Sequence, residues 1–329
     1  MSLVCVMLGS LHAGHALAQR ADVSIELERG GSMSKASSEA LTKLREAGKS
    51  ITIEQARKSY QSPSPKPITL PAPSADRLDP AAIAAKARAS YLRVGWHYRC
   101  KKCDQWHTNL AGGYVVAQGG IAVTCEHVLS PNVDMREGFF VAQSSDGTFH
   151  PVTSVLGVDA DLDAAVIQLG DADDLPALAL NDQVGPGDAA YLLSDPKGYL
   201  GYFSSGMVNR FYWNKSKPGD PTILEDARRL RINVSTDWAP GSSGSAVLDA
   251  CGNVICHVSR ISTEVAPVRA ERSEPPATAP TTRPDRAARP PAVGTQIVFH
   301  EGIPARGVML LIKQINAQSK LNAGASPEK

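Results

Sequence analysis

From residue 91 onward the chain is written in short apolar runs, each closed within a few residues by Gly, Pro, Asn or Asp. Runs rich in Val, Ile, Tyr and Leu predict strands over 92–98, 108–116, 121–124, 139–143, 165–169, 189–193, 206–213, 230–235, 245–248 and 254–259. Many short strands at close spacing mark an all-β sandwich or barrel, and the lack of strand–helix alternation argues against a doubly wound α/β sheet. Two Pro-rich stretches bracket this region. Pro63, Pro65, Pro67, Pro71 and Pro73 predict an extended linker. From about residue 263 to 292, Pro267, Pro275, Pro276, Pro280, Pro284, Pro290 and Pro291 alternate with charged residues, predicting a disordered insertion. Strand character returns over 295–299, and an apolar helix is expected from Pro304 to about Ile315.

The first 78 residues read differently. Ala40, Leu41, Leu44 and Ala47 fall at helical spacing before Gly48, a stop signal. Thr52 with Gln55 three residues on forms a capping-box pattern for a second short helix. Asp79-Pro80 reads as N-cap and first helical residue of an Ala-rich helix reaching about Ser90. The apolar stretch ending in Ala16-Leu17-Ala18 predicts a secretory signal over 1–18 and hence a secreted or periplasmic protein, although no Lys or Arg precedes it. With 34 Lys+Arg against 33 Asp+Glu, the net charge of +1 gives no argument for nucleic acid or an anionic membrane. No run of about 18 apolar residues predicts a membrane span.

Three segments carry chemistry. Gly241-Ser242-Ser243-Gly244-Ser245 sets a serine in a glycine-flanked turn, where the N–H groups of Gly241 and Ser243 can converge on one point as an oxyanion hole. Alone, the same pattern describes a plain hairpin loop. Ile121-Ala122-Val123-Thr124-Cys125-Glu126-His127 runs a β-branched strand into an imidazole. Asp163 stands immediately before the apolar strand Ala164-Ala165-Val166-Ile167, with Asp159 and Asp161 as neighbouring acids. The order His, Asp, Ser differs from the α/β-hydrolase order, and Ser243 leads into a strand–turn–strand pattern rather than a helix, which excludes a hydrolase elbow.

Residues of about 92–262 resemble the trypsin-like, chymotrypsin-fold serine peptidases, nearest their bacterial HtrA/Deg-type branch. The resemblance rests on Gly112-Gly113-Tyr114-Val115-Val116, Thr124-Cys125-Glu126-His127-Val128, Asp163-Ala164-Ala165-Val166-Ile167, Val184-Gly185-Pro186-Gly187-Asp188, Leu193-Ser194-Asp195-Pro196-Lys197-Gly198, Phe203-Ser204-Ser205-Gly206-Met207-Val208, and Thr236-Asp237 through Pro240-Gly241-Ser242-Ser243-Gly244-Ser245. It implies two six-stranded antiparallel barrels with a cleft between them. It also implies Ser243 as nucleophile, His127 as general base then acid, and Asp163 as the residue orienting the imidazole. Ser245 replaces a usual glycine, and Ser242 replaces Asn or Asp, a position whose backbone is expected to matter more than its side chain. The division that follows is a signal over 1–18, a helical and disordered extension over 19–78, a first barrel over 79–183, a second barrel over 184–316 carrying the insertion 264–292, and a disordered tail over 317–329. No PDZ domain of about 90 residues is expected.

Asp237, six residues before Ser243, is where relatives preferring Arg or Lys place a pocket acid, though the Deg-type branch has Thr-Asp here without that preference. Cys100-Lys101-Lys102-Cys103 with His107 gives half of a zinc spacing, and Cys125 is a candidate further ligand; a local disulfide or a Cys103–Cys125 bridge are rival readings, favoured in an exported chain. The sequence thus predicts a cofactor-free, exported serine endopeptidase acting on peptide or protein substrates. The alternatives are a catalytically silent binding module on this fold and a CxxC zinc or redox module; the oligomeric state is not indicated.

Overall fold

The computed structural model describes residues 34–61, 67–130, 133–214, 226–267 and 293–324. The expected signal over 1–18 and most of the Pro-rich insertion lie outside these residues. Among the described residues no helix is long and apolar enough to cross a membrane.

Three helices precede the sheets. Helix α1 (Lys35–Ala47) is capped by Ser34, whose hydroxyl accepts from the Ser37 amide, and it ends at Gly48 with φ of 63°. The capping box of α2 (Ile53–Gln61) forms as read: the Thr52 N–H donates to Gln55 Oε1 at 2.8 Å, and the Gln55 N–H to Thr52 Oγ1 at 3.3 Å. In α3 (Pro80–Ser90) Asp79 accepts from the Ala82 amide and Pro80 fills the first turn, where a missing N–H costs nothing.

Strands β1 (Tyr91–Cys100), β2 (Trp106–Ala117), β3 (Ile121–Thr124), β4 (Met135–Ser144), β5 (Phe149–Asp159) and β6 (Ala164–Leu169) close the first barrel in the order β1-β2-β3-β6-β5-β4. A short helix α4 (Glu126–Leu129) leaves β3. Strands β7 (Ala189–Ser194), β8 (Tyr202–Trp213), β9 (Leu230–Val234), β10 (Ala246–Leu248), β11 (Val254–Pro267) and β12 (Val293–Pro304) close the second, in the order β10-β11-β12-β9-β8-β7. Helix α5 (Ala305–Gly324) ends the described chain. The expected pair of antiparallel six-stranded barrels is therefore the fold.

Leu92, Val94, Trp96, Phe140 and Ile167 fill the first barrel. Leu192, Val208, Ile232, Trp238, Val247 and Val258 fill the second. A third apolar cluster fuses the two, joining Tyr91 and Tyr114 to Leu193, Leu248 and Val254, with Ile83 of α3 and Leu311 and Ile315 of α5 packed on it. Burying one such side chain is worth about 1.5–3 kcal/mol, so this shared cluster makes the barrels one body.

Four expectations change. Strand β5 was not expected; Pro151 and Gly157 interrupt its pattern, and its ladder to β6 shifts register after Val152 and after Val155. The 19–78 extension is not disordered where described. Leu41 of α1 packs on Phe139 and Val141. Ile68 is buried and its backbone N–H and C=O pair with the Asn316 side chain at 2.6 and 2.8 Å. Ser74 exchanges two further bonds with Asn253. A few well-placed residues strap this segment to the barrels, which average composition does not register. The insertion begins later than expected, since Glu264, Val265, Ala266 and Pro267 pair with Ile297, Thr295, Gly294 and Val293. The expected tail from 317 continues α5 to Gly324.

Candidate active site

His127 lies on α4 just past the end of β3, and Asp163 closes the turn between β5 and β6. The β3–β6 ladder pairs Thr124 with Ala165 and so brings the two ends side by side. Asp163 adopts φ of 43°, a left-handed conformation that Asp tolerates better than most residues. This turn sends its carboxylate toward the imidazole. The His127 Nδ1–H donates to Asp163 Oδ1 at 2.9 Å, and the same carboxylate accepts the His127 backbone N–H at 3.2 Å.

Two residues of β11 complete the shell around Asp163. The Ser259 hydroxyl donates to Asp163 Oδ2 at 2.6 Å, and the His257 Nε2–H donates to the Asp163 carbonyl at 3.1 Å. Sequence reasoning missed Ser259 and read His257 as structural rather than catalytic. Neither adjoins a recognisable turn, and only the crossing of β11 over the first barrel delivers them. Burial lowers the pKa of His257, which keeps its ring neutral beside Asp163. Burial alone would raise the carboxyl of Asp163, but the His127 hydrogen bond and charge together with the Ser259 hydroxyl bring it down to about 2. With Asp163 ionised, the shared proton sits on Nδ1, so a neutral His127 presents its lone pair at Nε2. The hydrogen bond to Asp163 outweighs the opposing burial and raises the His127 pKa above its ordinary value.

The turn carrying Ser243 is seated against β2 and β11 by backbone contacts. The Gly112 N–H of β2 donates to the Ser243 carbonyl at 2.7 Å. The Gly244 N–H donates to the Val258 carbonyl, which also accepts the Cys125 thiol at 3.0 Å. Gly244, at φ of 83°, must be glycine: a Cβ there would meet the Gly112 carbonyl at 2.3 Å and the Cys125 amide at 3.1 Å. Ser243, half-buried, thus stands one residue from the strand end that leads to His127. The Ser242, Gly244 and Ser245 amides donate to Ala239, Val258 and Ser242 carbonyls. Among the described residues, the amides of Gly241 and Ser243 have no such acceptor, which leaves two N–H groups of one turn for a ligand.

Neighbouring side chains set the turn. The Ser242 hydroxyl is buried and bonds Ser194 Oγ at 3.0 Å, tying the turn to β7, so its side chain does more than expected. Ser245 is accommodated because Gly112 faces it; a Cβ on Gly112 would fall 2.0 Å from Ser245 Oγ. Gly241, at φ of 107°, passes so close to the Asp195 carbonyl that a Cβ would lie 2.6 Å from it. Asp195 is itself held by an ion pair with Arg93 of β1 and by the Gly201 amide.

Asp237 is exposed and accepts a hydrogen bond from the Tyr202 hydroxyl at 3.2 Å. Trp238 beside it is buried. Its ring lies 4.8 Å from that of His300, and its Nε1–H donates to the Arg260 carbonyl at 3.3 Å. The cysteines are all thiols among the described residues. Cys125 is fully buried at the barrel seam, and burial pushes its thiol well up. Cys103 sits exposed on the β1–β2 hairpin, so neither a Cys103–Cys125 bridge nor Cys125 as a shared zinc ligand fits the fold.

The model of the trypsin-like peptidase domain matches residues 111–256, a span that includes His127, Asp163 and Ser243. No curated protein sequence matches the chain. Among solved structures, the HtrA-type protease AlgW with a decapeptide is similar, with a TM-score of 0.51 and 17% identity over 74% of this chain and 69% of that one. At that identity the likeness concerns the fold. Residues 111–256 are thus a trypsin-like peptidase domain, set within the two barrels and their shared seam.

Proposed function

We propose that the chain is an exported serine endopeptidase that works through an acyl-enzyme, with Ser243, His127 and Asp163 as its triad. The observation that carries this reading is the seating of the Ser243 turn, whose Gly241 and Ser243 amides bond no carbonyl of the described residues, against the strand end that leads to an imidazole whose Nδ1–H is held by an ionised carboxylate. His127 Nε2 takes the Ser243 proton as Oγ attacks the scissile carbonyl, and the Gly241 and Ser243 amides receive the oxyanion. The imidazolium, stabilised by Asp163, then protonates the departing amine. Water repeats the sequence on the ester and releases the acid. Ser259 and His257 keep Asp163 ionised and aimed.

For the residue whose carbonyl is cleaved, Trp238 argues for a small side chain. Its indole fills the space bounded by the 237–241 segment, β11 at Arg260 and β12 at His300, while the Asp237 carboxylate is engaged at the surface by Tyr202. Export rests on the segment ending at Ala18 and is tested by fractionating cells expressing the chain with and without residues 1–18.

The decisive experiment is labelling with a fluorophosphonate, which reacts with an activated serine rather than with any serine. Modification confined to Ser243, lost in H127A, supports the proposal. Labelling elsewhere, or none in a folded protein that still cleaves a peptide ester, overturns it.

A further inference from the structure

The β1–β2 hairpin carries a cluster that the peptidase reading leaves unused. Cys100 ends β1, Cys103 lies in the turn, and His107 is the second residue of β2. Cys100 Sγ, Cys103 Sγ and a ring nitrogen of His107 all lie within 4.8 Å of one another, with Cys103 Sγ 2.9 Å from His107 Nε2. We propose that this hairpin tip binds one zinc ion through Cys100, Cys103 and His107.

The chemistry of the donor set points to a soft or borderline metal. Two thiolates and an imidazole suit Zn²⁺ and exclude Ca²⁺ and Mg²⁺, which take oxygen ligands. Around a tetrahedral zinc with Zn–S of about 2.3 Å and Zn–N of about 2.0 Å, neighbouring ligand atoms stand about 3.5–3.8 Å apart. The observed cluster straddles that spacing, so adjustments of about 1 Å in exposed side chains complete the site.

The backbone around the cluster is shaped for a bound sulfur. The Lys102 N–H donates to Cys100 Sγ at 3.4 Å, and such outer hydrogen bonds orient ligands and stabilise a metal thiolate. The turn is built to hold that shape. Asp104 takes φ of 57°, its amide donates to the Cys100 carbonyl, the Cys100 amide donates to the Gln105 carbonyl, and the Lys101 amide donates to the Asp134 carbonyl. Asp104 is pinned from both sides by Arg99 and Arg136, which keeps its carboxylate on guanidinium groups rather than on the cluster. Three protein ligands leave a fourth tetrahedral position for water or an incoming ligand. His107 also lines a cavity of about 660 Å³ that runs past Thr108 and Leu110 to Asp195 and Gly241, so this ion would sit on the rim of that cavity.

The site does not depend on the triad, and the test keeps the two apart. Tag-free full-length protein carrying Ser243→Ala is stripped of metal under reducing, anaerobic conditions and titrated with Co²⁺. The expected result is one equivalent bound, with the visible bands of tetrahedral cobalt and a thiolate charge-transfer band, displaced stoichiometrically by Zn²⁺. C100S and C103S each abolish the charge-transfer spectrum or halve its intensity, and H107A weakens binding by tenfold or more. C125S, which changes the buried thiol at the barrel seam, leaves the spectrum unchanged. Circular dichroism confirms that each variant is folded. Absence of tetrahedral cobalt bands in the folded protein overturns the proposal, as does a spectrum of undiminished intensity in C100S. So does intact-mass detection of a quantitative Cys100–Cys103 disulfide in freshly isolated, never-reduced protein.

Discussion

Counted from its own first strand, each barrel closes in the same order, one-two-three-six-five-four. The connection from the third strand to the fourth holds His127 in the first barrel and the Ser243 turn in the second. Like positions therefore supply the two halves of the proposed proton transfer, and packing the barrels face to face brings them together. The connection from the fifth strand to the sixth differs most. In the first barrel it is a tight turn that aims Asp163; in the second it opens a hairpin whose strands run on to Pro267 and restart at Val293. Topology decides which loops meet, while loop length and turn chemistry decide which of them take part in the reaction. No internal sequence repeat announces this duplication, because a strand order can be kept by any residues that alternate and pack.

Removing either half of the pair breaks the comparison outright. S243A and H127A are each expected to lower kcat/KM on a peptide ester by about 10⁴-fold or more with the fold intact, and the double variant to lose no more than the worse single one. An S243A protein with ordinary turnover would show that the second barrel does not supply the nucleophile.

D163N tests whether the first barrel's tight turn is what makes the imidazole a base. It is expected to cost about 10⁴-fold, because an amide in this place favours the wrong tautomer. D159N and D161N serve as controls and should change activity little. In the parent protein kcat/KM should rise with pH as His127 loses its proton. The midpoint should lie above the ordinary histidine value of about 6.5, since the Asp163 bond favours the protonated ring. The sign follows: whatever residual activity D163N retains should have its midpoint moved down. A midpoint that stays put would mean that Asp163 does not hold His127 in solution.

Legibility from sequence followed the same division. Motifs at strand ends were readable, because a turn that must place one side chain draws on few residue types. His127, Asp163 and Ser243 are of that kind, as are the capping box at Thr52 and the Gly48 stop. What stayed hidden is held by contacts distant in sequence. Ser259 reaches Asp163 only because β11 crosses the seam, Ser242 matters through Ser194, and Ile68 is fixed by Asn316. Strand β5 was lost for a local reason, a proline and bulges in its alternation.

Ser259 measures how far the second barrel supports the first. S259A removes a hydrogen bond to a charged group, worth about 1.5–3 kcal/mol, so a loss of roughly ten- to hundredfold in kcat is expected, with KM nearly unchanged. S259T, which keeps the hydroxyl, should recover part of it. The smallest effect concerns selectivity. Ester substrates with Ala at the cleaved position should be preferred over those with Arg, and D237N should alter that ratio by less than about threefold. A strong Arg preference lost in D237N would reverse the roles given to Trp238 and Asp237.

Asp195 joins matters that in many proteins are separate. Its carboxylate takes hold of Arg93 from the first barrel, and its carbonyl forms the wall against which Gly241 turns. Drift between the halves would therefore disturb the amide pocket before either barrel lost its strands. Such a protein would pass on heating through a state with both barrels folded and the site idle, so its working lifetime at high temperature is set by the barrier to separating the halves, not by the depth of either core.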